Sequence, residues 1–533
     1  MMEVVPPRLK KIWTDWQLRV LVLFSLLLQL LLILLGNRRR CSPKLWIRVT
    51  VWCAYLLADT IATMGLGSIS ISEGDDGLQV VEASSDENYI IIEAHNLLEK
   101  FKGLFADLLL SSQVVEKSRS LFLKMPADKT FEVIETELGF MYDLVYTKAK
   151  VIYTPLGLGS RFLTLALTCS VLLLYSFGHD KKKYNNVDES ITFLLLVVAV
   201  FLEIYAAMVL LFSDETKFWL IKHRRTAVVE PFKLFKPLFG LPRGSGLMGQ
   251  CSLLSLCVEE KPGFKLLGPY RFMSYSKVNP DLRSLILEQV QQQDSEFQLG
   301  VLAVSLEERL RKIVGKYNDE PVSYKIFTPT YYVNNELDKN ILTWHIATEL
   351  CYYGGEDEVE NNCESSSRKL SLSISRYLVY LLVYYPFMLP LGISSIKIRD
   401  LVADTRRLDK DELPHRLFHI KIEEFLSNVW YKLDEKYDFQ PIKVRGFREK
   451  NAIVQGCSLS RRLEEMSEDK NTKWDLIKDV WLEMLAYAAQ QSKGSNHLQQ
   501  LRRGGELLTH VWLLYAHCGM TGQILSVKDL HLD

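Results

Sequence analysis

Apolar and polar positions give this chain two textures. Over the first 213 residues, long apolar runs alternate with amphipathic stretches. Beyond them the chain reads mostly as water-soluble and helical, with apolar residues at helical spacing. The longest apolar run is Ile191–Phe212. At about 1.5 Å of helical rise per residue it can cross a hydrocarbon core of roughly 30 Å. Three further runs of that kind precede it, near 18–35, 45–70 and 161–177. The pattern predicts four membrane spans.

The first run is preceded by Arg8, Lys10, Lys11 and Arg19 and ends in Gly36-Asn37-Arg38-Arg39-Arg40, with no small-x-small cleavage site. It reads as an uncleaved span, not a signal peptide. Residues 71–157 form an amphipathic insert that opens with an acidic linker at 72–77. One predicted helix places Leu97, Leu98, Phe101, Leu104, Phe105 and Leu108 on one face. A second does the same with Val133, Ile134, Leu138, Met141, Leu144 and Val145. Neither is apolar enough to span, so the two are expected to pack on each other, the plainer reading, or to lie along the membrane surface.

Past the spans, Pro231, Pro237 and Pro242 with Gly240, Gly244 and Gly246 mark a linker over 214–249. Residues 250–460 and a C-terminal domain at 461–533 read as helical and soluble. Trp474, Ile477, Val480, Trp481, Met484, Leu485 and Ala488 make one helical stripe; Leu507, Leu508, Val511, Trp512 and Leu514 make another. The apolar stretch Tyr377–Gly392 is cut by Pro386 and Pro390, which suits a buried core helix better than a span. The expected fold is mainly α: a multi-span α-helical membrane module over 1–213, followed by a largely helical soluble region. An even number of spans puts both termini on one side. The absence of any N-x-[ST] sequon favours the cytosol for the C-terminal half.

Composition narrows the function classes. Lys+Arg and Asp+Glu both number 64, so no net charge argues for nucleic acid as a partner. The nine cysteines contain no C-x-x-C pair, which speaks for reduced thiols and against a disulfide framework or a zinc ribbon.

Candidate chemistry is sparse. Asp59 and Glu203 fall inside predicted spans, where a carboxylate costs a few kcal/mol and faces a wet path or a polar partner such as Arg48. With few spans and no broken helices, the polar-partner reading is the plainer one. His345 and Glu349 are four residues apart, as are His415 and His419, and Glu506 and His510, with His517 two turns further on. Such pairs share a helix face and are the chain's weak metal candidates, against the plainer reading of core or surface histidines. No H-E-x-x-H motif supports them. Arg502, Arg503, Gly504 and Gly505 precede a predicted helix, which suits either a phosphate or an ordinary break between helices. No P-loop, dinucleotide fingerprint or nucleophile elbow occurs. No catalytic residue and no cofactor is assigned.

Three stretches carry a family resemblance: Leu342-Thr343-Trp344-His345-Ile346-Ala347-Thr348-Glu349-Leu350-Cys351-Tyr352, Ser375–Val383 running into Pro386–Pro390, and Leu202-Glu203-Ile204-Tyr205-Ala206. They resemble signatures of land-plant proteins with a "domain of unknown function 4220". Gln499–Thr509 with Val511-Trp512-Leu513-Leu514 is similar to the "domain of unknown function 594" that accompanies it. The resemblance covers most of the chain and implies a plant integral membrane protein, with no established activity, cofactor or catalytic residue. Relative to that family the chain looks shortened by about two spans after the second. The expected function is a membrane-anchored interaction or regulatory protein. Its partners are the lipid bilayer and proteins met through the C-terminal half. One alternative is a transporter or channel subunit using Asp59 and Glu203. Another is a metal-dependent membrane enzyme using His345 and Glu349.

Overall fold

A computed structural model of the chain describes residues 86–108, 110–147, 152–178, 186–222, 246–253, 273–302, 305–317, 336–353, 366–390, 452–465, 470–503 and 505–522, with isolated helical positions at 27, 31–32, 50–51 and 53. The first two predicted spans, with Asp59, and the pair His415 and His419 lie outside the described residues. So does Gly504.

The described residues are mainly helical. Helices α1 (Asp86–Phe101), α2 (Ser112–Phe122), α3 (Ala127–Tyr146), α4 (Pro155–Gly178), α5 (Asn186–Leu211) and α6 (Asp214–Lys222) come first. Strands β1 (Leu247–Gln250) and β2 (Ser274–Lys277) pair antiparallel, Leu247 opposite Lys277. Then follow α7 (Pro280–Gln298), α8 (Leu306–Lys316), α9 (Leu337–Tyr353), α10 (Ser366–Tyr384), α11 (Ala452–Glu465), α12 (Lys470–Gln491), α13 (Gly494–Leu501) and α14 (Leu507–His517). The contacts divide the chain into two units: residues 1–100, 132–245 and 501–505, and residues 101–131, 246–500 and 506–533.

In the first unit, α4 and α5 pack together as a hairpin. Thr154 caps α4 by accepting the Gly157 N–H at 3.1 Å, with Pro155 in the first turn, where its missing N–H costs nothing. At the far end of α5, Ser213 starts α6 by accepting the Thr216 N–H at 3.2 Å, and the Tyr153 hydroxyl bonds to Ser213. Two stretches are long and apolar enough to cross a membrane, Gly157–Phe177 and Glu189–Leu211, and none of either is buried within the protein. Phe162, Leu174 and Phe177 of α4 are 72%, 71% and 86% exposed, and Phe201 of α5 is 61% exposed. Among the described residues, then, two of the four predicted spans fall on helices long and apolar enough to cross a membrane, each helix starting a few residues earlier than its apolar run because it begins at its cap.

The amphipathic insert folds around an aromatic contact in the same unit. The His95 ring on α1 stacks on Phe218 of α6 at 3.7 Å and meets Phe140 of α3 edge-on at 5.5 Å. Ile90, Ile91, Ala94, Leu97, Leu98, Val133, Ile134, Leu138 and Met141 are buried. Leu144 is half-buried and Val145 exposed, so the second stripe fades before its predicted end.

The second unit is organised on α12, which packs against α7, α8, α9, α10 and α14. All seven residues of its predicted stripe are buried. Burial of large side chains such as Trp481 and Met484 contributes about 1.5–3 kcal/mol each. Helix α9 lies against α11 so closely that a Cβ at Gly456 would sit 2.7 Å from the Ile346 side chain and 2.9 Å from the Thr343 carbonyl. Residues Tyr377–Leu382 of α10 are completely buried, and a 3-10 turn at Pro386–Met388 follows, so this apolar run is a core helix. Helix α2 joins the unit through α14. Phe101 and Phe122 flank the His517 ring at 4.2 and 4.5 Å, and Ser118 bonds to His517 Nδ1 at 2.8 Å. Arg119 adds a two-pronged ion pair to Asp294 of α7, at 2.6 and 2.8 Å.

Candidate functional site

Helix α9 is buried all round from Asn340 to Cys351, so its polar side chains there have only protein to pair with. The partners arrive from the residues that leave β1. Gln250 Nε2 donates to the Ser373 carbonyl at 3.1 Å and the Cys251 N–H to the Arg376 carbonyl at 3.1 Å. The Ser252 hydroxyl donates to Glu349 Oε2 at 2.7 Å, and the Leu253 N–H to His345 Nε2 at 3.1 Å.

A backbone N–H can only donate, so Nε2 of His345 accepts and carries no proton. The proton of the neutral ring is then on Nδ1, 2.8 Å from the Ser375 hydroxyl. Burial holds the His345 pKa below its ordinary value, which keeps the ring neutral although Glu349 Oε2 is only 3.4 Å away. The other carboxylate oxygen of Glu349 accepts from Arg376 Nε at 3.0 Å, and Arg376 continues to the Tyr353 hydroxyl at 2.7 Å. The predicted pairing of His345 with Glu349 is therefore real in space, but both ring nitrogens and both carboxylate oxygens are engaged by protein. The arrangement clasps β1 onto α9 and α10.

Glu506 and His510 do not form a pair. Glu506 precedes α14 with extended backbone (φ −135°, ψ 152°), so the helical alignment of residues four apart does not reach it. Its Oε1 accepts from the Tyr380 hydroxyl at 3.0 Å and from Gln500 Nε2 at 3.1 Å, while His510 Nδ1 donates to the Glu506 backbone carbonyl at 2.9 Å. Burial and the Glu506 charge push the phenols of Tyr377 and Tyr380 upward, so both stay protonated. Gly249 admits the Tyr380 ring, since a Cβ there would lie 2.3 Å from it. The Leu508 N–H, an open amide at a helix start that a phosphate would need, donates instead to the Tyr377 hydroxyl at 2.8 Å.

Among the described histidines, His345, His497 and His517 are fully buried. His517 is packed as described. His497 lies between the Ser492 and Thr509 hydroxyls at 2.7 and 3.1 Å and stacks on Trp512 at 4.6 Å, and burial lowers its pKa to about 3. The buried thiols are pushed up, Cys251, Cys457 and Cys518 to about 12 and Cys351 to about 11, which removes their nucleophilicity. Among the described residues no group of three or more His, Cys, Asp or Glu side chains is placed to hold a metal ion.

One polar cluster escaped the sequence. Glu483 on α12 is buried, and burial raises its pKa. Its carboxylate accepts from Arg309 at 3.2 Å, from Gln293 at 2.8 and 3.0 Å and from Gln289 at 2.7 Å. Gln490 completes the ring, taking Arg309 at 2.7 Å and giving to Gln293 at 2.8 Å. The available signal was Gln289 and Gln293, two amides four apart on α7.

In the first unit, Glu203 of α5 is held by Arg161 of α4 at 3.8 Å, with the Thr164 hydroxyl at 3.5 Å. Near the foot of the hairpin, burial raises the Glu215 carboxyl to about 7, helped by Asp143, Asp214 and Glu99.

Together these features define a mainly helical protein with two helices long and apolar enough to cross a membrane and with buried polar groups satisfied largely by one another. Residues 71–257 match a family described as "Domain of unknown function (DUF4220)". Residues 466–520 match one described as "Protein of unknown function, DUF594". Residues 258–465, which include the Trp344-His345 stretch, lie outside both matches. No curated protein and no solved structure matches the chain.

Proposed function

We propose that the chain is a membrane-anchored interaction or regulatory protein: α4 and α5 hold it in a bilayer, and its helical second unit contacts protein partners on the cytosolic side. The uncovered apolar sides of α4 and α5 carry this reading. Side chains such as Phe162, Leu174 and Phe201 would be costly in water and cost nothing in hydrocarbon. The committed state of His345, Glu349 and Glu506 supports a scaffold over a catalyst, because each uses its polar atoms on the protein itself.

Alkaline carbonate extraction of membranes containing the intact protein tests the anchor. The wild type stays in the pellet, and Phe201→Lys combined with Leu194→Lys moves it to the supernatant. A wild type that washes off sinks the anchor. Purification of the intact protein in mild detergent tests the partner: a single monodisperse polypeptide that acquires no cross-links in its native membrane removes the interaction reading. A second reading, a transporter or channel subunit, keeps a foothold in Glu203. Vesicle flux that disappears in Glu203→Gln would favour it.

A further inference from the structure

We propose that the joint between α5 and α6 is a pH-sensitive latch, closed while the Glu215 carboxyl keeps its proton and loosened when the proton leaves. The proposal goes beyond the reading of α4 and α5 as an anchor and does not depend on it.

The joint is short and held by few bonds. Ser213 accepts the Thr216 N–H at 3.2 Å to start α6, and the Thr216 hydroxyl donates at 2.6 Å to the Leu210 carbonyl near the end of α5. Ahead of α4, the Tyr153 hydroxyl bonds to Ser213 and lies 3.2 Å from the same Leu210 carbonyl. Further along α6, Phe218 carries the stack on His95 of α1, and Leu220 and Ile221 are buried. The stretch between this cap and this stack sets how α6 sits on α1 and α3.

Glu215 stands in that stretch, half-buried in the first turn of α6. The groups that act on it most strongly are three more carboxylates: Asp143 of α3, Asp214 of α6 and Glu99 of α1. Tyr153, which bonds the cap, also feels the charges of Glu215 and Asp143, so the cluster lies beside the cap. Lys217 of α6 is turned to Asp214, at 3.5 Å. A helix start favours a negative charge, and Asp214 supplies it. A second charge, half-buried among like charges, is unfavourable. Burial first, and then Asp143, Asp214 and Glu99, raise the Glu215 carboxyl from its ordinary 4.5 to about 7. The closed joint therefore holds a proton that a released carboxyl gives up. Closure is strongest below pH 4.5 and is lost as pH rises to about 7, the opening constant growing by up to about tenfold per pH unit.

Hydrogen–deuterium exchange of the full chain in detergent tests the latch. The readout is the ratio of wild-type to Glu215→Gln opening in peptides that cover α6, which cancels the intrinsic pH dependence of exchange. Glutamine keeps the shape of the side chain and cannot ionise. The ratio should be near one at about pH 4 and at least about tenfold higher by about pH 8. Asp143→Asn should keep the transition and move its midpoint to lower pH, because one of the charges that hold the proton in place is gone. Infrared difference spectra should show a protonated-carboxyl band that is lost with a midpoint of about 7 in the wild type and is missing in Glu215→Gln. A ratio that stays flat with pH, or a band that titrates unchanged in Glu215→Gln, overturns the proposal. Should Glu215→Gln fail to fold, the exchange midpoint of Asp143→Asn against wild type decides: a shift to lower pH upholds the latch, and an unmoved midpoint overturns it.

Discussion

Helices α5 and α10 are both strongly apolar over several turns, and they meet opposite surroundings. In α10 every side chain from Tyr377 to Leu382 is buried by neighbouring helices, and its polar atoms find fixed partners, as when the Tyr377 hydroxyl accepts the Leu508 N–H. In α5 the apolar side chains face outward, and its one mid-helix carboxylate leans on a single arginine of α4. The difference does not lie in hydrophobicity alone. Length and interruption separate them: α5 carries a 23-residue apolar stretch, whereas α10 is stopped by Pro386 after a short one. The core helix is covered by other parts of the chain, whereas the apolar side chains of α5 are left uncovered by the described residues.

The sharpest test of that contrast compares large-to-small changes in the two units. Trp481→Ala removes a fully buried ring and strands the Thr348 hydroxyl it bonds at 3.0 Å. It should cost about 3–5 kcal/mol, read from thermal unfolding of the intact protein in detergent. Phe201→Ala should leave that transition in place. Equal losses at the two positions would break the contrast.

Charge should reverse the ranking. Phe201→Lys should weaken membrane insertion by about 2.5–3.5 kcal/mol, measured as the carbonate-resistant fraction, without shifting the melting of the helical unit. Loss of that melting transition would mean that α5 is a core helix after all.

A smaller effect is expected at the α9 clasp. Glu349→Leu leaves the Ser252 hydroxyl and Arg376 without their acceptor and should cost about 2 kcal/mol. Because both groups bond within the protein, added metal should not restore stability to a Glu349→Gln or His345→Gln variant.

A graded effect is expected with pH. His345 and His497 are both held below the ordinary histidine pKa of 6.5 by burial, His497 at about 3. Below pH 6.5 the unfolded chain takes up protons that the folded one refuses, so stability is lost as pH falls through that range. Each group contributes up to about 1.4 kcal/mol per pH unit. Near-UV circular dichroism melts between pH 6.5 and 5 should move downward with acid. A flat melting temperature there would contradict the neutral, buried rings.

How much of this was legible in residue order depends on the range of the interaction. The stripes on α12 and α14 could be read because helical periodicity is local, and every residue named in them is buried. The long apolar helices α4 and α5 could be read for the same reason. The fate of His345 could not, because its ring is claimed by Leu253 and Ser375, 92 and 30 positions away. Spacing put Glu506 and His510 together only on the assumption that both are helical, and Glu506 stands one residue outside α14. Glu483 was invisible inside an apolar stripe because its compensation comes from α7 and α8.

The bond from Ser118 to His517 spans 399 positions. During synthesis, α2 emerges long before the segment that completes its packing, with the apolar hairpin made in between. The nascent helix must wait, partly unsupported, for nearly the whole polypeptide to leave the ribosome. Truncation ahead of α14 should therefore expose Phe101 and Phe122 on a stretch hundreds of residues upstream, and make the early chain a substrate for quality control.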